Sequence, residues 1–431
     1  MIYGTPIVNK IGVFLFTILL SSFSALGDLS SGVKSGEFWG KTGRELLAEY
    51  FSDQRANWVD ASKTTFRIGR PTLTLSGVKL GELLLKLTEE GKPELMTIMV
   101  YNKGDDGSLD KKSFEEKIEG ISKAMTTLTG VKGKPFQVAR DEAAVKVKAV
   151  GWTWPGGSLS MESSSSKDGR EFEAEFIRLR LAPSAKALTR GNDGDKVTKA
   201  DLFSRVEKNG KRVEIKGIPM VDQGQKGYCV VAAAARMFAY YGMDFVDQHE
   251  LASIANTSAG GGTTTSDMAK ALKKIGGRFQ IRVKDIDTMD DLKSYQKLAK
   301  DYSRAARKLK KEPLPEVTYD LTQFWEPVDA EVMKLARAGS KSQIEKWMKP
   351  VREYVSKGIP VLWCLQLGIV PEPMSIFQTR GGHMRMIIGY DDEKETILFS
   401  DSWGAMHSSK EMPITDAMTP TTSRMVLMPS R

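Results

Sequence analysis

Four residue types that together can carry out acyl transfer occur along this chain in a suggestive order. The stretch Asp222 to Gly242 reads DQGQKGYCVVAAAARMFAYYG, a Gln and a Gly-containing turn ahead of a Cys and a strongly helical run. Gly224 and Gly227 permit a tight turn, which sets Cys229 at the first turn of the helix that follows. There the unpaired N–H groups and the positive end of the helix dipole favour a thiolate over a thiol. Gln223, six residues before Cys229, is placed to return its side-chain amide to the same spot and donate to a developing oxyanion. His383 stands at the mouth of an apolar run, and Asp401 follows 18 residues later, beyond an acidic turn at Asp391, Asp392 and Glu393. A hairpin of that length puts both side chains on neighbouring strands. The Asp then accepts from one ring nitrogen and leaves the other to face the thiol. Trp403, two residues further on, is placed to shield that hydrogen bond from water. For Cys229 taken alone, a buried thiol on a core helix is an equal reading. It is the imidazole, carboxylate and amide donor in the same chain that favour chemistry.

The elements that must position these residues are legible around them. Four alanines at 232–235 allow close helix packing, Phe238 and Tyr241 continue an apolar face, and Gly242 is a natural stop. Ile359 to Leu367 (IPVLWCLQL) is nearly all apolar, as a buried strand should be. Cys364 sits inside it, where burial raises a thiol's pKa and makes it inert. Gly381-Gly382-His383 opens a second strand, Met384 to Tyr390, and Thr396 to Ser400 forms a third that runs into Asp401-Ser402-Trp403-Gly404. Asp247 with Glu250 makes a capping box, with His249 expected at the surface in that helix's first turn. A helix over Asp267 to Ile275 is expected to end at Gly276-Gly277. The charged segment from about 285 to 356, broken at Pro313, Pro315 and Pro327, reads as a helical insertion.

Upstream lies different material. Residues 1–27 have the pattern of a secretory signal peptide: Lys10, the apolar run Ile11 to Leu20, and Ala25-Leu26-Gly27 before a cut at Asp28. The apolar run is short of the ~20 residues a membrane span needs, so no stable membrane anchor is expected. The mature protein is expected to be secreted or periplasmic. Residues 28–190 read as a separate α+β domain. Helices are expected at Gly43 to Tyr50 and Asp110 to Leu128, and strands at Leu95 to Tyr101, Ala144 to Thr153 and Glu171 to Leu181. Ser163 to Gly169 (SSSSKDG) is expected as the exposed tip of a hairpin between the last two. The segment Asn102 to Ser113 has a trace of a calcium loop, but Gly104 and Ser113 stand where ligands are needed. Residues 191–211 then form a linker, opening on Gly191-Asn192-Asp193-Gly194-Asp195, and a lead-in helix; the second domain spans 212–431.

Composition bounds the partners. At 431 residues, two or three domains are expected, and 41% hydrophobic with 27% charged residues is ordinary for a globular protein. The net charge of +9 is spread along the chain with no aromatic-interleaved basic cluster, so no nucleic-acid role is indicated. The densest basic run, Arg304 to Lys311, reads as a solvated helix face. Three histidines, no two at ligand spacing on one helix, argue against a metal site. No cofactor is indicated either. Two cysteines allow at most one disulfide, and a nucleophilic Cys229 requires both to be free.

With these residues in view, the sequence resembles the papain-like cysteine peptidases, and most closely their bacterial branch, which includes the bacteriocin-processing-like peptidases. Gln223 and Cys229 match that family's Gln-to-Cys interval. His383 matches its Gly-His before an apolar strand, and Asp401-Ser402-Trp403-Gly404 matches its Asn-Ser-Trp-Gly. The resemblance covers about Val213 to Met428 and leaves the first domain outside. Tyr228 and Val230 flank the Cys where plant-type members have Ser and Trp, and Asp401 replaces their Asn. The resemblance implies a two-lobe catalytic domain with a helical insertion, which with the N-terminal α+β domain read before it makes an α+β chain. It implies a secreted peptidase acting on peptide or protein substrates, with Cys229 as nucleophile, His383 as base and acid, Asp401 as orienter and Gln223 in the oxyanion hole. An acyltransferase or amidase on the same triad, and a catalytically silent binding module, are the alternatives. The first domain is a candidate inhibitory pro-segment, restraining the second intramolecularly, or a binding domain.

Overall fold

The computed structural model describes residues 27–430 apart from 53, 137–143, 169–170, 189–196, 225–226, 244–245, 256–264, 316–322 and 373–380. The expected signal segment, the joint at 191–195 and most of the 260–265 loop therefore lie outside the described residues.

The first domain is built on an eight-stranded antiparallel sheet. Its strands are β1 (Ala56–Trp58), β2 (Thr65–Gly69), β3 (Glu82–Leu87), β4 (Pro93–Asn102), β5 (Lys134–Phe136), β6 (Val147–Trp154), β7 (Gly157–Asp168) and β8 (Glu171–Ala182), in the spatial order β1-β2-β3-β4-β8-β7-β6-β5. One helix, α1 (Lys111–Thr129), packs on it. Asp110 caps that helix by accepting from the Ser113 N–H at 2.8 Å, and Gly130 ends it in a left-handed conformation. Its buried stripe of Phe114, Ile121, Met125 and Leu128 meets Leu159, Met161, Leu179 and Leu181 of the sheet in one core. Strand alternation turns the intervening residues of β7 and β8 the other way. Ser158, Ser160, Glu162, Ser164, Arg178 and Arg180 thus form a buried polar face. The serine run is therefore not an exposed hairpin tip: it lies within β7, where alternate serines belong to that face.

The second domain carries another antiparallel sheet. Its elements are β9 (Val206–Asn209), β10 (Arg212–Ile215), α2 (Cys229–Tyr240), α3 (Gln248–Ile254), α4 (Thr265–Phe279), β11 (Ile281–Thr288), α5 (Leu292–Leu309), α6 (Ala330–Ala338), α7 (Lys341–Val355), β12 (Val361–Leu367), β13 (Gly381–Asp391), β14 (Thr396–Ser400), β15 (Lys410–Pro413), α8 (Ile414–Met418) and β16 (Thr421–Pro429). The sheet runs β9-β10-β13-β12-β16-β11, with β14 on β13 and β15 on β14. The Cys-bearing helix α2 is buried along nearly its whole length against this sheet. Its alanines are what let it approach so closely.

Two boundaries differ from expectation. The strand β11 extends through Asp285 to Thr288, so the helical insertion begins after it, with α5 and α6 around a small core of their own that includes Tyr302, Trp325 and Val332. Helix α4 runs through Gly276-Gly277 to Phe279. Gly276 is not a stop: a Cβ there would run into the Ile281 carbonyl oxygen, so the glycine permits close approach of helix and strand. Among the described residues, no helix is long and apolar enough to cross a membrane.

Candidate active site

Cys229 is the first residue of α2, and Gly224, at φ +68°, makes the left-handed turn that precedes it. An Asx turn supports this bend, with the Gly224 N–H donating to Asp222 Oδ1 at 2.8 Å. His383 lies near the start of β13, opposite Leu365 of β12. Cys229 and His383 line the same cleft, close enough for each to shift the other's ionisation. On the far side of the ring, His383 Nε2 lies 2.8 Å from Asp401 Oδ1. A carboxylate there accepts, which places the proton on Nε2 and leaves Nδ1 for the thiol. Trp403 stacks on the imidazole with centroids 4.5 Å apart and planes 18° from parallel, covering the His383–Asp401 hydrogen bond.

Asp401 is fully buried and held by more than His383. Arg385 Nε donates to Oδ1 at 2.8 Å and Lys410 Nζ to Oδ2 at 2.9 Å. The rest of the Arg385 guanidinium grips Glu372 through both terminal nitrogens, at 2.8 and 3.0 Å. Arg236 of α2 donates to the Asp401 carbonyl at 3.0 Å, to Ser400 Oγ at 2.6 Å and to the Pro219 carbonyl at 2.9 Å. The helix that carries the nucleophile is thereby tied to the loop that carries the carboxylate.

These contacts set the ionisation. Burial pushes the Cys229 thiol up, but the hydrogen bond and charge of His383, with the N–H groups of Met384 and Val230, bring it below its ordinary value. Burial pushes His383 down, and its bonds to Asp401 and Cys229 more than reverse this, so the imidazole is raised. Burial likewise opposes the Asp401 charge, yet His383, Arg385 and Lys410 hold the carboxyl well below the usual carboxylate range. Opposite shifts on Cys229 and His383 are what a thiolate–imidazolium pair requires.

A cleft of about 570 Å³ opens onto this pair and is lined by both Cys229 and His383. Gln223 and Asp401 are buried and are not among the residues that line it. The Gln223 backbone N–H donates to the Ser402 carbonyl at 2.9 Å, so the turn before the Cys and the segment after Asp401 are stitched together. All four residues singled out in the sequence thus belong to one region. Cys364 is buried on β12, and neither it nor Cys229 is in a disulfide. Among the described residues, no group of three His, Cys, Asp or Glu side chains suits a metal ion.

Arg385, Lys410, Glu372 and Arg236 were not anticipated. Arg385 had a signal: two residues beyond His383 on a strand, it shares that residue's face. His249 is also not where the sequence suggested. It is buried, with Nε2 3.3 Å from Glu82 and Nδ1 2.7 Å from Asn102, both in the first domain. Its position in a helix's first turn carried no trace of the domain that covers it.

Residues 314–422, a minority of the chain that includes His383 and Asp401, match the model of the Peptidase_C39 like family. No curated protein matches the chain. Among solved structures it is similar to xylellain, a cysteine protease from Xylella fastidiosa, at 15% identity over 53% of this chain and 89% of that one. The TM-score is 0.26, a likeness too slight to carry an argument. The family match covers the strands that hold the imidazole and carboxylate and supports a cysteine-type peptidase.

Proposed function

We propose that the chain is an exported peptidase whose chemistry runs through Cys229, His383, Asp401 and Gln223. The observation that carries this reading is the cleft onto which Cys229 and His383 both open, with His383 Nε2 2.8 Å from Asp401 behind it. The Cys229 thiolate attacks a peptide carbonyl carbon, and the C–N bond breaks as His383 Nδ1 gives its proton to the leaving amine. Water then attacks the thioester, returns a proton to His383 and releases the acid. Asp401 keeps the ring oriented, and Trp403 keeps water off that bond. The Gln223 amide and the Cys229 backbone N–H supply the oxyanion donors. The test is hydrolysis of a peptide library by the full chain beside Cys229→Ala and Gln223→Ala. Cleavage should vanish with Cys229→Ala and slow by roughly 10²–10³-fold with Gln223→Ala, the cost of one oxyanion donor. An unchanged rate in Gln223→Ala would reduce that residue to a turn-former, and cleavage surviving Cys229→Ala would remove the mechanism.

A further inference from the structure

The first domain touches the catalytic turn from behind. No described residue of that domain lines the cleft; every lining residue lies at Cys229 or beyond. Its contacts fall instead on the backbone that precedes and supports the nucleophile. A buried polar chain crosses between the domains. Arg67 of β2 donates to Glu82 of β3 at 2.6 Å, and Glu82 faces His249 Nε2 of α3 at 3.3 Å. Asn102, at the end of β4, donates through Nδ2 to His249 Nδ1 at 2.7 Å and to the Tyr228 hydroxyl at 3.0 Å. An Asn donor on Nδ1 leaves the His249 proton on Nε2, where Glu82 accepts it, so the donors and acceptors of this chain are consistent.

Tyr228 is the residue immediately before Cys229, and it is 2% exposed. Its carbonyl accepts from the Ala232 N–H at 2.8 Å, the bond that starts α2. Among the described residues no side-chain hydrogen bond caps this helix, and Asn102 holds the Tyr228 hydroxyl beside its first turn. Gly104 of the first domain lies so close to the Tyr228 hydroxyl that a Cβ there would collide with it. Beside this, the Arg67 guanidinium lies against Gly224, where any Cβ would overlap it. The Trp58 carbonyl approaches Gly404, at the end of the segment that carries Asp401. Arg178 adds a second crossing, bonding Glu162 of its own domain together with Asp247, which caps α3, and Glu250 of α3. Separating the domains would break the Arg178 bonds to Asp247 and Glu250 and the contacts of Asn102 and Glu82 with Tyr228 and His249.

We propose that the first domain is a permanent positioning platform for the catalytic turn, with Asn102 acting through Tyr228 on the nucleophile and Arg67 acting through Gly224 on the oxyanion side. This rests on the peptidase reading above. Asn102 and Arg67 are positioning residues and touch no substrate.

The test uses the full chain with Tyr228→Phe, which deletes one hydroxyl, and Asn102→Ala. The pH dependence of Cys229 alkylation by iodoacetamide is read alongside peptide kcat and KM. The alkylation midpoint should move up by about 0.5–1 pH unit, and kcat should fall about three- to tenfold at unchanged KM, the scale of one buried hydrogen bond. Asn102→Ala should show the larger change. If Asn102→Ala does not fold, Tyr228→Phe decides alone. An unmoved midpoint in a Tyr228→Phe protein that merely melts earlier would overturn the proposal and leave the contact as support only. Should the wild type cleave no peptide, the midpoint still decides, so the peptidase reading can fail while the platform stands.

Discussion

On one side of α2 the Asp401 carboxylate is fully buried against His383, Arg385 and Lys410; near the other, at the domain interface, Glu250 is as fully buried against Arg178, with Asp247 and Glu162 close by. Burial works against the charge in both places. Yet Asp401 is held well below the usual carboxylate range, while Glu250 is pushed up to about 8. The difference is the local count of opposite charges. Asp401 faces three donors that are or can be cationic. Glu250 shares Arg178 with two other carboxylates and accepts from the Ala144 N–H at 2.6 Å. Depth costs both groups the same kind of energy, and the neighbours decide whether the charge survives.

The largest effect expected from this contrast is at Arg385. Arg385→Ala removes a donor from Asp401 and strips Glu372 of both its guanidinium bonds, leaving buried carboxylate without its counter-charge. Stability should fall by about 3–5 kcal/mol in denaturant unfolding, the usual cost of breaking one side of a buried ion pair. A loss below about 1 kcal/mol would mean that Lys410 and His383 suffice and that the cationic cluster is not what holds Asp401.

A smaller effect concerns pH, and the two carboxylates have opposite signs. Asp401 has a folded value below its ordinary 3.8, so its contribution to stability is present above 3.8 and is lost as pH falls below it. Glu250 has a folded value raised from 4.5 to about 8. The folded state holds its proton more tightly, so stability declines as pH rises from 4.5 towards 8 and levels off above. Thermal unfolding across that window should show the decline in the wild type and a flatter profile in Glu250→Gln. An equally steep profile in Glu250→Gln would place the titrating group elsewhere.

The contrast also marks what the sequence could and could not say. Cys229, His383 and Asp401 were readable because each sits in a short local pattern: a glycine turn before a helix, a Gly-His before an apolar strand, a polar segment after a hairpin. The strands β12, β13 and β14 of the second domain followed from their apolar runs, and α1 from its periodicity, whereas β11 and β16 were not foreseen. Arg385 was half-visible through strand alternation. Lys410 was not, because nothing local ties it to a carboxylate across a turn. The interface was invisible for the same reason. His249 and Tyr228 are buried against a domain more than a hundred residues away along the chain, and no local pattern encodes that. Gly276 misled because a glycine that stops a helix and one that lets a strand approach look alike in one dimension.

The most direct test of the account is the reactivity of Cys229 towards iodoacetamide as a function of pH, which needs no substrate. The pairing with His383 lowers the thiol and raises the imidazole, so alkylation should already be fast at pH 5–6, where a free thiol near ~8.5 reacts slowly. His383→Ala removes the cationic partner and should move that reactivity to higher pH, while Cys364, buried on β12, stays unreactive until the protein unfolds. A Cys229 rate that rises only through pH 8–9, and does not respond to His383→Ala, would contradict the ion pair and with it the catalytic reading of this cleft.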